Sequence, residues 1–213
     1  MLGQHGRGLT TSLFTRPALV LARAGVTANM ITVTGTVATV VISVLTLAQG
    51  HFVLGPALLA LVVIADSFDG ILARATGTGS SFGAFLDSTM DRLGDGAMLG
   101  SLAVWAALHL EPGTLRTATV SVAVAAVVLA ATVPYARARA EAIGANAAAG
   151  LLERTDRIVV AAVGVLAVGL GAPLWVLTAA LTIVALGSLA TVIQRVMAVR
   201  RQTLPAVGAE AQA

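Results

Sequence analysis

Long apolar runs separated by short polar breaks set the pattern of this chain. A helix that crosses the hydrocarbon core of a bilayer needs roughly 20 apolar residues. Six segments are candidates, and they cover residues 30–48, 52–73, 85–108, 117–135, 158–170 and 173–197. The fifth segment is short unless it begins near Thr155. The breaks between them are rich in glycine, proline and charged residues, which are typical of helix ends. The pattern predicts an all-α integral membrane protein with six transmembrane helices, built as a single domain.

Both ends of the chain depart from this pattern. Residues 9–23 mix leucine and phenylalanine with Arg16 and Arg23, which is typical of an amphipathic helix lying at the membrane interface. We expect residues 1–24 to form such a juxtamembrane segment and not a cleaved signal peptide, because no long apolar core ends in a small-residue cleavage site. Residues 202–213 are expected to form a disordered tail.

Composition narrows the class of protein. Hydrophobic residues make up 57% of the chain and charged residues only 11%, whereas soluble domains carry about 25% charged residues. Most of the chain therefore belongs in lipid. The absence of cysteine excludes disulfides, zinc thiolate sites and cysteine nucleophiles. All 13 basic residues are arginine, and they are scattered between apolar runs, so we expect no nucleic-acid partner.

The arginines also predict an orientation. An even number of spans places both termini on one side of the membrane, and every arginine except Arg116 falls on that side. Basic residues accumulate at the cytoplasmic face of membrane proteins. We therefore expect a multi-pass protein of the cell membrane whose termini and residues 66–91 face the cytoplasm.

Four aspartates form the most informative constellation. Asp66 and Asp69 are three residues apart and Asp87 and Asp91 are four apart, so each pair lies on one helical face. The short connection at 75–82 predicts that the two helices are antiparallel neighbours whose carboxylates converge. Converging carboxylates repel one another unless cations intervene, and oxygen-only ligands favour Mg²⁺ or Mn²⁺. Four such ligands suit two ions about 4 Å apart, an arrangement that serves in-line displacement at phosphorus.

Two glycines and an arginine complete the pattern. Gly70 and Gly83 let a diphosphate approach the backbone, and Arg74 offers a planar fork to phosphate oxygens. Aspartates at a helix end beside an arginine usually form an interfacial salt bridge, but that explanation does not account for four aspartates in this order.

The pattern Asp-x₂-Asp-Gly-x₂-Ala-Arg-x₈-Gly-x₃-Asp-x₃-Asp, at 66–91, resembles the signature of the CDP-alcohol phosphotransferases without a gap or substitution. The resemblance implies a six-helix membrane fold, a homodimer and two metal ions at the cytoplasmic surface. It implies that Asp66 and Asp87 touch both ions, that Asp69 touches one, and that Asp91 touches the other. Asp91 would also be the base that takes the proton of the acceptor hydroxyl.

The start of the first span carries a second candidate site. From the residues alone, Thr27 or Asn29 is expected to cap the helix. The family carries a similar stretch at its nucleotide pocket, although proline is common where this chain has Ala28. By resemblance, the residues that bind the cytidine diphosphate part of CDP-diacylglycerol are Asn29, Met30, Ile31, Thr32, Gly70, Arg74 and Ser80.

Arginines near the last three spans are candidates to bind the acceptor substrate. Basic residues at cytoplasmic helix ends usually set orientation or contact lipid headgroups. The stretches 135–144, 152–157 and 194–195, however, resemble actinobacterial phosphatidylinositol phosphate synthases. That resemblance implies that Arg137, Arg154 and Arg195 hold the phosphate of inositol 1-phosphate, with lysine common in relatives where Arg137 stands. The products would be phosphatidylinositol phosphate and CMP.

Three alternatives stay open at this point. A phosphatidylglycerolphosphate synthase has the same signature and uses glycerol 3-phosphate. An ion or proton transporter would also place aspartates in membrane helices, although usually at mid-depth. A purely structural membrane protein leaves the four carboxylates unexplained. Asp95 continues the Asp87–Asp91 face outside the signature, and its role is left open.

Overall fold

A computed structural model describes residues 25–76 and 80–204, with only the backbone described from 66 to 76. This part of the chain is all-α, as predicted. Its six α-helices are α1 (Ala28–Leu45), α2 (Leu54–Thr76), α3 (Ser81–His109), α4 (Thr114–Ala142), α5 (Arg154–Gly169) and α6 (Trp175–Thr203), with a 3₁₀ turn at Leu47–Gln49. Residues 1–24, where we expected an interfacial helix, and residues 205–213 of the expected tail lie outside the described residues.

The chain divides into two compact units, with the boundary between Ser101 and Leu102 inside α3. In the first unit α1 packs against α2. The turn between these helices ends at Gly50, whose φ of 82° is a left-handed conformation that favours glycine. Leu47, Ala48 and Phe52 of this turn are buried.

Hydroxyl side chains along α1 return to carbonyls of their own helix. Thr34 donates to the Met30 carbonyl at 2.7 Å, and Thr39 donates to the Gly35 carbonyl at 3.0 Å. Ser43 and Thr46 bond in the same way, four residues back, at 2.7 and 2.6 Å. These bonds satisfy the hydroxyls without a second helix.

In the second unit α6 packs against both α4 and α5. The core of α6 is aliphatic, and Leu177, Leu181 and Val184 are fully buried. Thr119 and Thr178 join α4 to α6 through a hydroxyl–hydroxyl bond of 2.7 Å. Small residues bring α5 close to α6 where Gly164 meets Ala180, as is usual in membrane helix pairs.

Each predicted apolar segment corresponds to one α-helix. Within the described residues, three stretches are long and apolar enough to cross a membrane, namely Ala28–Gln49, Thr114–Ala142 and Trp175–Thr203. The predicted ends were less accurate. The fourth helix runs seven residues past the predicted 135, and α6 runs to Thr203 and so includes the first two residues of the expected tail. Both extensions are polar, and helical bonding continues there without an apolar pattern to signal it.

Candidate functional site

The acidic face of α3 carries two of the four predicted metal ligands. Asp87 and Asp91 lie one turn apart on this helix, and Asp87 is exposed. The Asp91 side chain is 21% exposed, and its Oδ2 lies 3.4 Å from Nη2 of Arg92. The other two predicted ligands, Asp66 and Asp69, lie in α2, as do Gly70 and Arg74. Only the backbone of this part of α2 is described.

The described side chains alone do not form a three-ligand metal group. What they offer is a pair of carboxylates at one-turn spacing. This donor chemistry fits a hard divalent cation, which prefers oxygen ligands. The predicted convergence with Asp66 and Asp69 stays a prediction.

Arg92 was not singled out from the sequence, although it lies within the acidic face. Its Nη2 is 4.0 Å from Oδ2 of buried Asp95, three residues along α3, as well as 3.4 Å from Asp91. Its Nε is buried and lacks a hydrogen-bond partner among the described groups. The spacing of three residues between Arg92 and Asp95 is the sequence signal that identifies such a pair.

The starts of α1 and α3 meet at the predicted nucleotide site. Thr27 caps α1, because its Oγ1 accepts a 3.3 Å bond from the Met30 N–H, as the capping interpretation predicted. Ser80 caps α3 through a 3.0 Å bond from the Gly83 N–H. A Cβ at Gly83 would lie 3.3 Å from both Asn29 Oδ1 and Ser80 Oγ. The structure therefore brings together Asn29 and Ser80, two of the predicted nucleotide contacts, around a glycine.

Two other predicted nucleotide contacts differ in exposure. Thr32 is 7% exposed, and its hydroxyl donates to the Ala28 carbonyl of its own helix at 3.1 Å. Met30 is 52% exposed, and Ile31 is half-buried. Asn29 and Met30 are thus more accessible to a ligand than Thr32, whose hydroxyl is already bonded within α1.

Arg195 is the most constrained of the predicted acceptor ligands. It is only 9% exposed, although it carries a guanidinium group. Its Nη1 donates to the Val133 carbonyl at 2.6 Å, and its Nε donates to the Ala149 carbonyl at 3.3 Å. These bonds tie α6 to α4 and to the loop that follows α4, so the guanidinium has a fixed position.

Arg137 and Arg154 lie in other surroundings. Arg137 is exposed and pairs with Glu141 one turn further along α4, with Nε to Oε1 at 2.8 Å. Arg154 is the first residue of α5 and follows the N-cap residue Glu153. Asp156 returns to this cap, since its Oδ2 accepts from the Glu153 N–H at 2.9 Å.

A cavity of about 400 Å³ opens between α4 and α6 beside Arg195. Its lining is mostly apolar and includes Tyr135, Ile143 and Val196. Arg139 also lines it, whereas Arg137 and Arg154 do not. Arg137 and Arg139 are two residues apart and face different sides of α4, which became apparent only because the helix continues past the predicted end at 135.

Comparisons with known proteins agree with the signature. Residues 25–184 match the family model for CDP-alcohol phosphatidyltransferase, which spans both compact units. The phosphatidylinositol phosphate synthase of Streptomyces avermitilis is 38% identical, over 99% of this chain and 87% of that protein.

Solved structures of the Mycobacterium tuberculosis phosphatidylinositol phosphate synthase share the fold. The complex with manganese and citrate is 31% identical with a TM-score of 0.82, covering 88% of each chain. The structure with CDP-DAG bound has the same identity and TM-score and covers 88% of this chain and 94% of that one. By its sequence signature, its helices and these relatives, the chain belongs to the CDP-alcohol phosphatidyltransferase family.

Proposed function

We propose that this protein transfers the phosphatidyl group of CDP-diacylglycerol to inositol 1-phosphate, forming phosphatidylinositol phosphate and CMP. The observation that carries the proposal is the unbroken signature at 66–91 within the family match. Two relatives called phosphatidylinositol phosphate synthase are each 38% identical, over 99% and 90% of this chain, which supports the choice of acceptor.

Divalent metal is part of this proposal. The residues that would hold it are Asp66, Asp69, Asp87 and Asp91, and their oxygen donors suit two Mg²⁺ ions, with Mn²⁺ as the alternative. The related Mycobacterium tuberculosis enzyme was crystallised with manganese, which supports a divalent ion. Bound metal would neutralise charge on the diphosphate.

The residues of the chain divide the remaining work. Asn29 to Thr32, Gly70, Arg74 and Ser80 would bind the cytidine diphosphate group. A hydroxyl of the inositol then attacks the phosphorus that bears diacylglycerol, and the bond from this phosphorus to the CMP oxygen breaks. Asp91 would accept the proton of the attacking hydroxyl, and its 21% exposure leaves it accessible.

Arginines of the second unit would recognise the acceptor. Arg195 is held by two backbone carbonyls, so binding phosphate costs it little conformational entropy. Arg137 has only an exposed pairing with Glu141, which a phosphate can replace. Together with Arg154 these groups would supply the cationic pocket that a phosphorylated alcohol requires.

The proposal includes a place in the cell. We propose that this multi-pass membrane protein works as a homodimer with its active site and both termini in the cytoplasm, where its arginines accumulate. That side also holds cytidine nucleotides and sugar phosphates.

An acceptor panel tests the function. Purified protein in detergent, with CDP-diacylglycerol and Mg²⁺, would be assayed for CMP release with inositol 1-phosphate, glycerol 3-phosphate or free inositol. We expect release with inositol 1-phosphate to exceed the other two by at least about tenfold, because the proposed site binds both the ring and its phosphate. If the protein prefers glycerol 3-phosphate, that compound replaces inositol 1-phosphate as the proposed acceptor. If no acceptor leads to CMP release, the proposed transferase activity is rejected.

A further inference from the structure

The loop from 143 to 153, between α4 and α5, is fastened to the last turns of α6. Gln202 makes the outermost contact. Its Nε2 donates to the Asn146 carbonyl at 2.7 Å, and its Oε1 accepts from the Asn146 N–H at 2.8 Å. A primary amide is the side chain that can pair with a backbone peptide in both senses. These two residues are 56 positions apart, so the pair joins distant parts of the second unit.

Two more side chains of α6 continue the contact along the same loop. Arg195 donates to the Ala149 carbonyl at 3.3 Å, and Thr191 Oγ1 accepts from the Leu152 N–H at 3.0 Å. Steps of four and seven residues along α6 place Thr191, Arg195 and Gln202 on one helical face. The loop therefore runs beside α6 for about three turns.

Close packing reinforces these bonds. A Cβ at Gly150 would lie 2.6 Å from Thr191 Cγ2, and one at Gly187 would lie 2.9 Å from Leu152 Cδ2. The loop and helix thus touch at glycine positions. Ala145 and Ala147 of the loop are also buried, at 8% and 2% exposure. The segment has no regular secondary structure, yet its backbone is held at several points.

Two of the proposed acceptor ligands adjoin this contact between the loop and α6. Arg195 is itself one of the fasteners, and Arg154 begins α5 directly after the loop ends. The distance between their guanidinium groups therefore depends on how the loop sits on α6. Gln202 fixes the part of the loop that no other side chain of α6 holds with a described hydrogen bond.

We propose that Gln202 is a positioning residue for the acceptor phosphate site. It does not contact substrate, and it acts by holding the 143–153 loop on α6 so that Arg154 and Arg195 keep a fixed spacing. This inference rests on the proposed function, since it takes these arginines as ligands of a phosphorylated acceptor. Loss of the Gln202 amide should weaken acceptor binding while the nucleotide-lipid site is unaffected.

Kinetics of two Gln202 variants test this role. For Gln202→Ala we expect the KM for inositol 1-phosphate to rise about tenfold, the equivalent of one to two net hydrogen bonds. The kcat and the KM for CDP-diacylglycerol should stay within about twofold. Gln202→Glu keeps an oxygen that can accept from the Asn146 N–H but sets its other carboxylate oxygen against the Asn146 carbonyl, so its KM should also rise. The matched control is Thr203→Ala, which removes only a bond within α6, from Thr203 to the Val199 carbonyl.

A second measurement follows the loop without using activity. Because the chain has no cysteine, Ala148→Cys gives a single site for a nitroxide spin label on the exposed part of the loop. The label should become more mobile in the Gln202→Ala and Gln202→Glu backgrounds and should not change in Thr203→Ala. If Gln202→Ala does not fold, the isosteric Gln202→Glu variant carries both tests.

The outcomes separate this inference from the proposed function. Wild-type protein that ignores inositol 1-phosphate contradicts the function, and the spin label still tests the fastening. Wild-type protein that uses this acceptor, with an unchanged acceptor KM in both Gln202 variants, overturns the positioning role. A fall in kcat together with a rise in the KM values for both substrates also overturns the positioning role, because that result indicates general destabilisation.

Discussion

Arg195 and Arg137 carry the same charge in contrasting surroundings. The Arg195 guanidinium is buried and spans two carbonyls, one on α4 and one on the loop that follows. The Arg137 side chain is 52% exposed and meets the Glu141 carboxylate, which is 57% exposed. Exposed ion pairs contribute little to stability, whereas a buried guanidinium without its partners is costly. The two residues should therefore respond differently to the same change.

Replacement of each arginine by lysine tests that difference. Lysine is a compact point charge and cannot bridge the Val133 and Ala149 carbonyls as the planar guanidinium does. We expect Arg195→Lys to lower kcat/KM for inositol 1-phosphate by about tenfold or more and Arg137→Lys by less than about threefold. Steady-state assays at saturating CDP-diacylglycerol would measure both, and equal losses would contradict the distinction.

Asp91 offers a sharper test of chemistry. Asparagine keeps the shape of the side chain but cannot accept a proton, so Asp91→Asn should lower turnover by at least about a thousandfold. Much of the binding of CDP-diacylglycerol should remain, as measured by titration of the purified variant. Thr89→Ala on the same helix removes only a local bond to the Phe85 carbonyl, and it should keep normal turnover. Full activity of Asp91→Asn would remove the base assignment.

Residue spacing predicted part of this site well and part of it not at all. The local sequence predicted a cap at Thr27 or Asn29, and Thr27 provides it, because its hydroxyl and the N–H partner are only three residues apart. The expected disordered tail at 202–213 includes Gln202, whose bonds to Asn146 could not be foreseen because the two residues are 56 positions apart. Arg139 was not carried into the predicted acceptor site, and Arg92 was not singled out, because their surroundings depend on the direction in which each side chain leaves its helix.

At the scale of whole helices, the apolar runs were sufficient to predict the number and order of the α-helices between residues 25 and 204, because a helix in lipid needs a continuous apolar length. They could not predict where a helix ends. Residues 136–142 of α4 alternate alanine with arginine or glutamate, all good helix formers, so the helix continues after its apolar pattern has stopped. The predicted end of the last segment, at 197, was too early for the same reason, since arginine and glutamine there extend α6 to Thr203.

The close contact between α5 and α6 can be tested by adding a methyl group at its glycine. A Cβ at Gly164 would overlap the Ala180 Cβ, so Gly164→Ala should push these helices apart. At Gly100 on α3 an added Cβ would meet nothing within 4 Å, so Gly100→Ala is the matched control. We expect Gly164→Ala to lower the thermal unfolding midpoint in detergent by several degrees, consistent with a cost of about 1–3 kcal/mol. The control should keep or raise the midpoint, and equal midpoints would show that α5 and α6 separate without cost.

For the molecule as a whole, the proposed orientation is open to direct labelling. Glu111 and Ala148 are exposed beyond opposite ends of α4, and the chain contains no native cysteine. With the arginine-rich side in the cytoplasm, Glu111→Cys should react with a membrane-impermeant maleimide in intact cells. Ala148→Cys should react only after permeabilisation.

Two outcomes of this labelling experiment would contradict the proposed orientation. Labelling of Ala148→Cys in intact cells, with Glu111→Cys protected, would invert the chain and place the aspartates away from cytoplasmic nucleotides. Labelling of both in intact cells would mean that α4 does not cross the membrane, although Thr114–Ala142 has the length and apolarity to do so.

The inward-turned hydroxyls of α1 have a consequence for how this helix settles in its surroundings. A threonine whose proton is already given to the carbonyl below it presents mainly its methyl group to whatever lies outside. Thr34, Thr39, Ser43 and Thr46 therefore behave toward a neighbour much as alanine or valine would. The rotation of α1 about its own axis is then selected by the shapes of the side chains it meets, and a change of lipid or partner at its surface breaks none of these bonds.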